Sequence, residues 1–104
     1  MTARIWRGVV RREDADEYAT YIGETGFDAY GATPGNRGAL MLRRDDGDRT
    51  EFLTFSLWES LDAIRAFAGD DIETAVYYPE DDRYLIECDS TVKHYEVVDS
   101  AGMG

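Results

Sequence analysis

The segment Arg49–Asp82 restricts the fold more than any other part of this chain, through the run Phe52–Gly69, FLTFSLWESLDAIRAFAG. Its first seven residues are apolar except Thr54 and Ser56, and their alternation reads as a strand. Leu53, Phe55 and Leu57 would share one face, and Phe52, Thr54, Ser56 and Trp58 the other. The period then changes from two to 3.6. Ser60 is placed to cap a helix, Asp62 sits in its first turn, and Leu61, Ile64, Phe67 and Ala68 recur at helical spacing. Gly69 suits the helix stop. A half-buried strand running straight into an amphipathic helix points to a layered α+β domain.

The flanking elements have the same character. Ala3–Val10 alternates as a strand, with Ile5 and Val9 opposite Trp6 and Val10. Asp14 is placed to cap a helix carrying Ala15, Tyr18, Ala19 and Ile22, which Gly23 or Gly26 would end. Phe27–Gly38 reads as a loop with a Pro34-Gly35-Asn36 turn. Ala39–Arg44 is a second strand, followed by a hairpin turn at Asp45–Asp48 with Asp46-Gly47 as its signal. After Gly69, Asp70 and Asp71 would start a short helical piece with Ile72, Ala75 and Val76 before Pro79 stops it. Arg83–Glu87 reads as a short extended segment and Thr91–Val98 as the last strand. The expected order is β-α-β-β-α-β, the ferredoxin-like split βαβ: a four-stranded antiparallel sheet with helices on one face. Residues 1–98 would form one domain and 99–104 a flexible tail. The uncovered sheet face would carry Trp6, Trp58, Phe52 or Tyr95, too much aromatic surface to leave in water, so a homodimer is expected.

Charge removes several function classes. The chain has 22 Asp plus Glu against 11 Lys plus Arg, net −11. Nucleic acid is not an expected partner, because phosphate binding needs a basic face, and an anionic membrane surface is disfavoured likewise. No apolar run approaches the roughly 20 residues of a membrane span. Met1–Val10 contains Arg4 and Arg7 and does not read as a signal peptide. With the lone Cys88 precluding an internal disulfide, a cytoplasmic location is expected. A single His and a single Cys cannot supply a tetrahedral metal site, and there is no phosphate loop or nucleophile elbow. Neither a metal nor a cofactor is expected.

The element order, the SLWES segment Ser56–Ser60 with a helix directly after it, and the closing strand Val92–Val98 (VKHYEVV) resemble the antibiotic biosynthesis monooxygenase-like domains of the dimeric α/β-barrel superfamily. The resemblance spans about Thr2–Val98. It implies two sheets pairing as a dimeric barrel and a site inside each subunit, between the sheet and the second helical region. Cofactor-free oxygenases of polyketide quinone precursors, haem-degrading monooxygenases and isomerases share this fold. An ungapped match to the haem degraders puts Trp6 where they carry an Asn, Phe67 where they carry a Trp, and Tyr77 where they carry the iron-ligating His. A match to the quinone oxygenases puts Thr54 at their hydrogen-bonding Asn, four residues before Trp58.

Candidate site residues follow from chemistry and resemblance together. His94, the only histidine, is the one ordinary side chain titrating near neutrality and would act as a general base; the bland alternative is a hydrogen-bonded sheet histidine. Tyr77 and Tyr78 could donate to a substrate oxygen or simply pack under a loop. Trp58, Phe67 and Thr54 would shape the pocket, though Trp58 and Phe67 could equally be core. Glu80-Asp81-Asp82 reads as a solvated acidic turn rather than a cation site. The leading expectation is cofactor-independent oxidation of an aromatic or polyketide-like molecule, with catalytic His94 and Tyr77 and binding residues Trp58, Phe67, Tyr78 and Thr54. A non-catalytic ligand-binding or stress-related dimer, and a proton-transfer isomerase, are the alternatives.

Overall fold

The computed structural model describes residues 1–76 and 78–102. Strand β1 (Thr2–Arg11) is central. On one side it pairs antiparallel with β3 (Arg49–Trp58), from Thr2 opposite Trp58 to Arg11 opposite Arg49. Strand β2 (Asn36–Asp46) pairs with the outer edge of β3 across a hairpin whose Gly47 takes φ 63°. The other side of β1 is shared by β4 (Leu85–Cys88), along Gly8–Val10, and β5 (Lys93–Glu96), along Thr2–Ile5. The strand order is β2-β3-β1-β4, with β5 continuing the β4 edge. This is the ferredoxin-like arrangement, its last strand divided by a break at 89–92. Among the described residues four α-helices accompany the sheet: α1 (Ala15–Ile22), α2 (Asp28–Ala32), α3 (Leu61–Ala68) and α4 (Asp81–Tyr84).

The two sheet faces are reversed from the aromatic expectation. Phe52, Trp58 and Val10 are essentially inaccessible, and the core cluster joins Val10 and Phe52 to Ala15, Tyr18 and Ile22 of α1 and to Tyr84. Tyr18 packs edge-on to Phe52 with centroids 5.2 Å apart. The even-numbered residues of β1 and β3 therefore face the helices. The open face carries Ile5, Leu40, Leu42, Leu53, Phe55 and Tyr95, of which Leu40, Leu42 and Tyr95 are about half exposed. Only Tyr95, of the four aromatics expected there, lies on that side.

The helices follow the apolar spacing where it is regular. Ala15, Tyr18 and Ile22 are buried, with Asp16 and Glu17 in the favourable first turn of α1. Asp14 makes no side-chain cap; a short 3-10 turn, Arg12–Asp14, leads in instead. Neither Gly23 nor Gly26 ends the helical path. A π-helical turn, Gly23–Phe27, carries it on into α2. The Thr25 hydroxyl donates to the Tyr21 carbonyl at 2.8 Å and competes for that acceptor, which favours the wider turn. The stretch expected to be loop from Phe27 is thus partly helical. So is the stretch beyond Pro79: α4 follows the proline, whereas 70–76 forms turns and a single bridge, Thr74 to Thr91.

Helix α3 matches its sequence signals. The Ser60 Oγ accepts from the Ala63 N–H at 3.2 Å, Ile64 is fully buried, and Gly69 terminates the helix at φ 89°. Ser60→Ala should therefore lower stability by about 1 kcal/mol, read as a shift in the urea midpoint with unchanged slope.

Candidate functional site

Between the sheet and the helices lies a cavity of about 40 Å³. The sheet contributes Arg4 and Trp6 from β1 and Thr54 from β3; α1 contributes Tyr18 and Ile22, α2 Tyr30, and α3 Phe67. Val76, Tyr78, Asp81 and Val92 close it. One wall is aromatic: Tyr30 stacks on Phe67 with centroids 4.8 Å apart, and Phe67 on Trp58 at 5.4 Å. The π turn before α2 helps place Tyr30 here, one turn on from Phe27, which it meets edge-on at 5.4 Å. Trp6 lies flat because Gly8 has no side chain: a Cβ there would collide with its ring and come within 2.9 Å of Leu85. The Trp6 indole N–H is taken by the Asp89 carbonyl at 2.9 Å.

The polar lining is unusual for so small a space. Arg4 is 3% exposed. Its guanidinium donates to the carbonyls of Ile72 and, at 3.4 Å, Thr74, lies 2.9 Å from His94 Nε2, and sits 6.0 Å from the centre of the Phe67 ring. Among the described residues no carboxylate pairs with it. Burial lowers its pKa, but a guanidinium stays charged, so a cation faces the cavity with only neutral partners among the described residues. Asp81 is also 3% exposed, with Oδ2 accepting from the Tyr78 N–H at 2.6 Å while Oδ1 reaches no partner at full hydrogen-bonding geometry among the described residues. The Tyr18 hydroxyl, buried beside it, likewise closes no well-formed hydrogen bond. Burial raises the pKa of Asp81, partly offset by the Tyr78 N–H and by the nearby Tyr18 hydroxyl. Burial likewise pushes Tyr78 up to about 12.

The residues singled out from sequence distribute unevenly around this space. Thr54, Phe67 and Tyr78 line it. Trp58 lies one layer behind Phe67, and its indole N–H is spent on Ser56 Oγ at 2.8 Å. Tyr77 falls outside the described residues. His94 does not line the cavity; Arg4 stands between, and His94 Nε2 accepts from Arg4 Nη1. Arg4, Tyr30 and Asp81 were not anticipated.

Burial first, and then Arg4, lowers the His94 pKa, with Glu73 opposing. A histidine whose folded pKa lies below its unfolded value of about 6.5 stabilises the fold above that pH. The contribution is lost as pH falls from about 6.5 toward the folded pKa. His94→Gln should therefore lose less melting temperature than the wild type between pH 7 and pH 5. Parallel thermal melts across that range measure the difference.

No family model matches the sequence, and no curated protein matches it. Solved structures do match in backbone. An antibiotic biosynthesis monooxygenase-like protein from Bacillus cereus superposes with TM-score 0.69 at 16% identity, over 97% of this chain and 96% of that one. SnoaB, a cofactor-independent oxygenase from Streptomyces nogalater, does so with TM-score 0.65 at 14% identity, over 97% of each chain. This chain has the antibiotic biosynthesis monooxygenase-like fold. The haem degrader MhuD from Mycobacterium tuberculosis, with two haems in its active site, shares it at TM-score 0.62 and 20% identity, over 98% of this chain and 100% of that one.

Among the described residues lining the cavity none is a histidine that could ligate haem iron, and Tyr77, matched to the iron-ligand position of the haem degraders, lies outside them. His94 is turned to Arg4 rather than to the cavity, and about 40 Å³ is an order of magnitude below the roughly 300–1,000 Å³ of ordinary ligand pockets.

Proposed function

We propose that this chain binds a small, planar, acidic aromatic or polyketide-like molecule in the cavity between sheet and helices and oxidises it with O₂, as a cofactor-independent monooxygenase. One observation carries the reading: the buried Arg4 guanidinium, without a carboxylate partner among the described residues, faces a cavity walled by Trp6, Tyr30 and Phe67. A buried cation is expensive unless paired, and a phenolate or enolate oxygen is the partner this wall would accept. The anion is also the electron-rich form that can reduce O₂. For a ring CH₂ activated by a neighbouring carbonyl, one oxygen atom becomes the new C=O and the other leaves as water. The substrate carbon supplies all the electrons.

Ring-sized ligands need more room than about 40 Å³. The wall nearest Arg4 is the segment after Gly69, held by the Arg4 bonds to Ile72 and Thr74, by Val92 N–H to Glu73 O at 2.8 Å, and by the Thr74–Thr91 bridge. Moving that segment outward breaks the Arg4 bonds to its carbonyls and releases the guanidinium to the ligand. Loss of one set of acceptors and gain of the other are coupled.

The open sheet face supports a second element of the proposal, a homodimer pairing these faces. A non-catalytic binding dimer remains the rival class. Titration with 1,8-dihydroxyanthrone, followed by tryptophan quenching and by O₂ uptake, separates the readings. Saturable quenching with O₂ consumption above the buffer rate supports the oxygenase. Quenching without consumption supports the binder. Absence of both, across a panel of anthrones and hydroxynaphthols, overturns the cavity as a ligand site.

A further inference from the structure

Two buried polar atoms of the cavity are left unused by the binding role of Arg4. Among the described residues, Asp81 Oδ1 and the Tyr18 hydroxyl reach no partner at full hydrogen-bonding geometry, although the hydroxyl lies near enough to act on the carboxyl, and both residues line the space that Arg4 faces. A buried carboxyl oxygen short of a full hydrogen bond, in a space that also holds a buried cation, is placed to take a proton from a ligand there. We propose that Asp81 is the general base of this cavity: its Oδ1 accepts the proton of an activated C–H or O–H of the ligand, and Arg4 holds the oxyanion that results.

The step balances without another reactant. The C–H or O–H bond breaks, its proton moves to Asp81 Oδ1, and the electron pair stays on the substrate as an enolate or phenolate facing Arg4. The inference rests on the cavity being the ligand site. It narrows the substrate class to molecules that place an acidic proton near a carbonyl or hydroxyl oxygen, so that Asp81 and Arg4 each receive one end. Asp81 suits the task better than His94, whose Nε2 is already committed to Arg4 and which does not line the cavity. The second oxygen of Asp81 is fixed by the Tyr78 N–H at 2.6 Å, which orients the carboxyl at the start of α4. Tyr18 from α1, Tyr78 before it, Asp82 after it and Arg4 from β1 are the described titratable groups around it. Burial raises its proton affinity and the Tyr18 hydroxyl opposes that rise, and a stronger base is the more effective proton acceptor near neutrality.

The test is anaerobic exchange of the C10 protons of 1,8-dihydroxyanthrone in D₂O, followed by NMR, alongside quenching titrations of the same protein. The wild type is expected to accelerate exchange over buffer, Asp81→Asn to reduce the enzymatic rate by about 100-fold or more, and its binding to change by less than about threefold. Tyr18→Phe is expected to move the midpoint of the pH–rate profile upward, because it removes the hydroxyl that lowers the Asp81 pKa. Binding without accelerated exchange, or full exchange by Asp81→Asn, overturns the base assignment and leaves the binding reading intact. Absence of binding by the wild type overturns both. Should Asp81→Asn fail to fold, the profile decides: a midpoint unmoved by Tyr18→Phe overturns the assignment.

Discussion

Arg4→Met is expected to weaken binding of an anionic aromatic by at least about 30-fold, the lower end of the 2–5 kcal/mol lost when one member of a buried charge pair is removed. Methionine fills much of the arginine volume with an apolar stem, so the cavity wall is kept while the charge goes. Two opposed terms govern stability. The carbonyls of Ile72 and Thr74 and the Nε2 of His94 lose a donor, at about 1–3 kcal/mol for each acceptor left buried. Against that, a cation buried without a carboxylate partner disappears, and replacing buried charge by apolar volume is often neutral or stabilising. The two terms oppose each other, so the melting temperature should fall by less than three unsatisfied acceptors alone would give, while binding collapses. Arg4→Lys keeps a charge but not the planar fork that reaches two carbonyls and His94 at once, and should recover only part of the affinity. Quenching titrations with 1,8-dihydroxyanthrone at a pH where its phenolate is present measure both. An Arg4→Met protein that binds as tightly as the wild type would remove Arg4 from the site.

That residue also shows where sequence reasoning stops. The strand–helix switch at Trp58–Ser60, the Asp46-Gly47 hairpin and the Gly69 stop were legible because each depends on local backbone chemistry. The faces of the sheet were not. Phe52 and Trp58 alternate with Leu53, Phe55 and Leu57, so both sides of β3 are apolar, and alternation alone cannot say which side the helices cover. Arg4 falls on the same side of β1 as Trp6, Gly8 and Val10, and only the tertiary structure shows it sealed beneath 72–74. Asp81 was hidden in a different way: in Glu80-Asp81-Asp82 three adjacent carboxylates look alike, yet α4 turns just the middle one inward. The helical path past Gly23 escaped notice because a π turn breaks the 3.6-residue period, so Phe27 and Tyr30 no longer fall in step with Tyr18 and Ile22. Local signals located the elements, whereas the cavity chemistry came from contacts distant in sequence, Arg4 with Ile72, Thr74 and His94 above all.

Leu40→Asp/Leu42→Asp is expected to convert a homodimer into a monomer without unfolding it. The two leucines are 57% and 48% exposed, so the isolated subunit gives up little when they become polar. Across the sheet Leu40 pairs with Phe55, which pairs with Ile5, and Leu42 pairs with Leu53; the apolar patch is continuous over three strands. At the far end of the same face Glu51 bonds Arg7 at 2.6 Å, and Glu87 bonds Arg7 at 3.1 Å, giving the patch a charged border. Strands of 10 residues span about 33 Å and four strand positions about 19 Å, an area near 600 Å² before side-chain relief. That approaches the roughly 800 Å² per partner of a stable interface. In a two-fold dimer the double substitution would put four new carboxylates into this apolar layer, so association should be lost at micromolar concentration. Sedimentation velocity would read the wild type at twice 11.8 kDa and the variant at 11.8 kDa, with matching far-ultraviolet circular dichroism. A wild type sedimenting as a single chain would dismiss the paired sheets. Because every residue lining the cavity lies on the opposite, helix-covered side of the sheet or in the segments closing it, the monomeric variant should still bind the anthrone. Assembly and ligand recognition would then be separable properties of one chain.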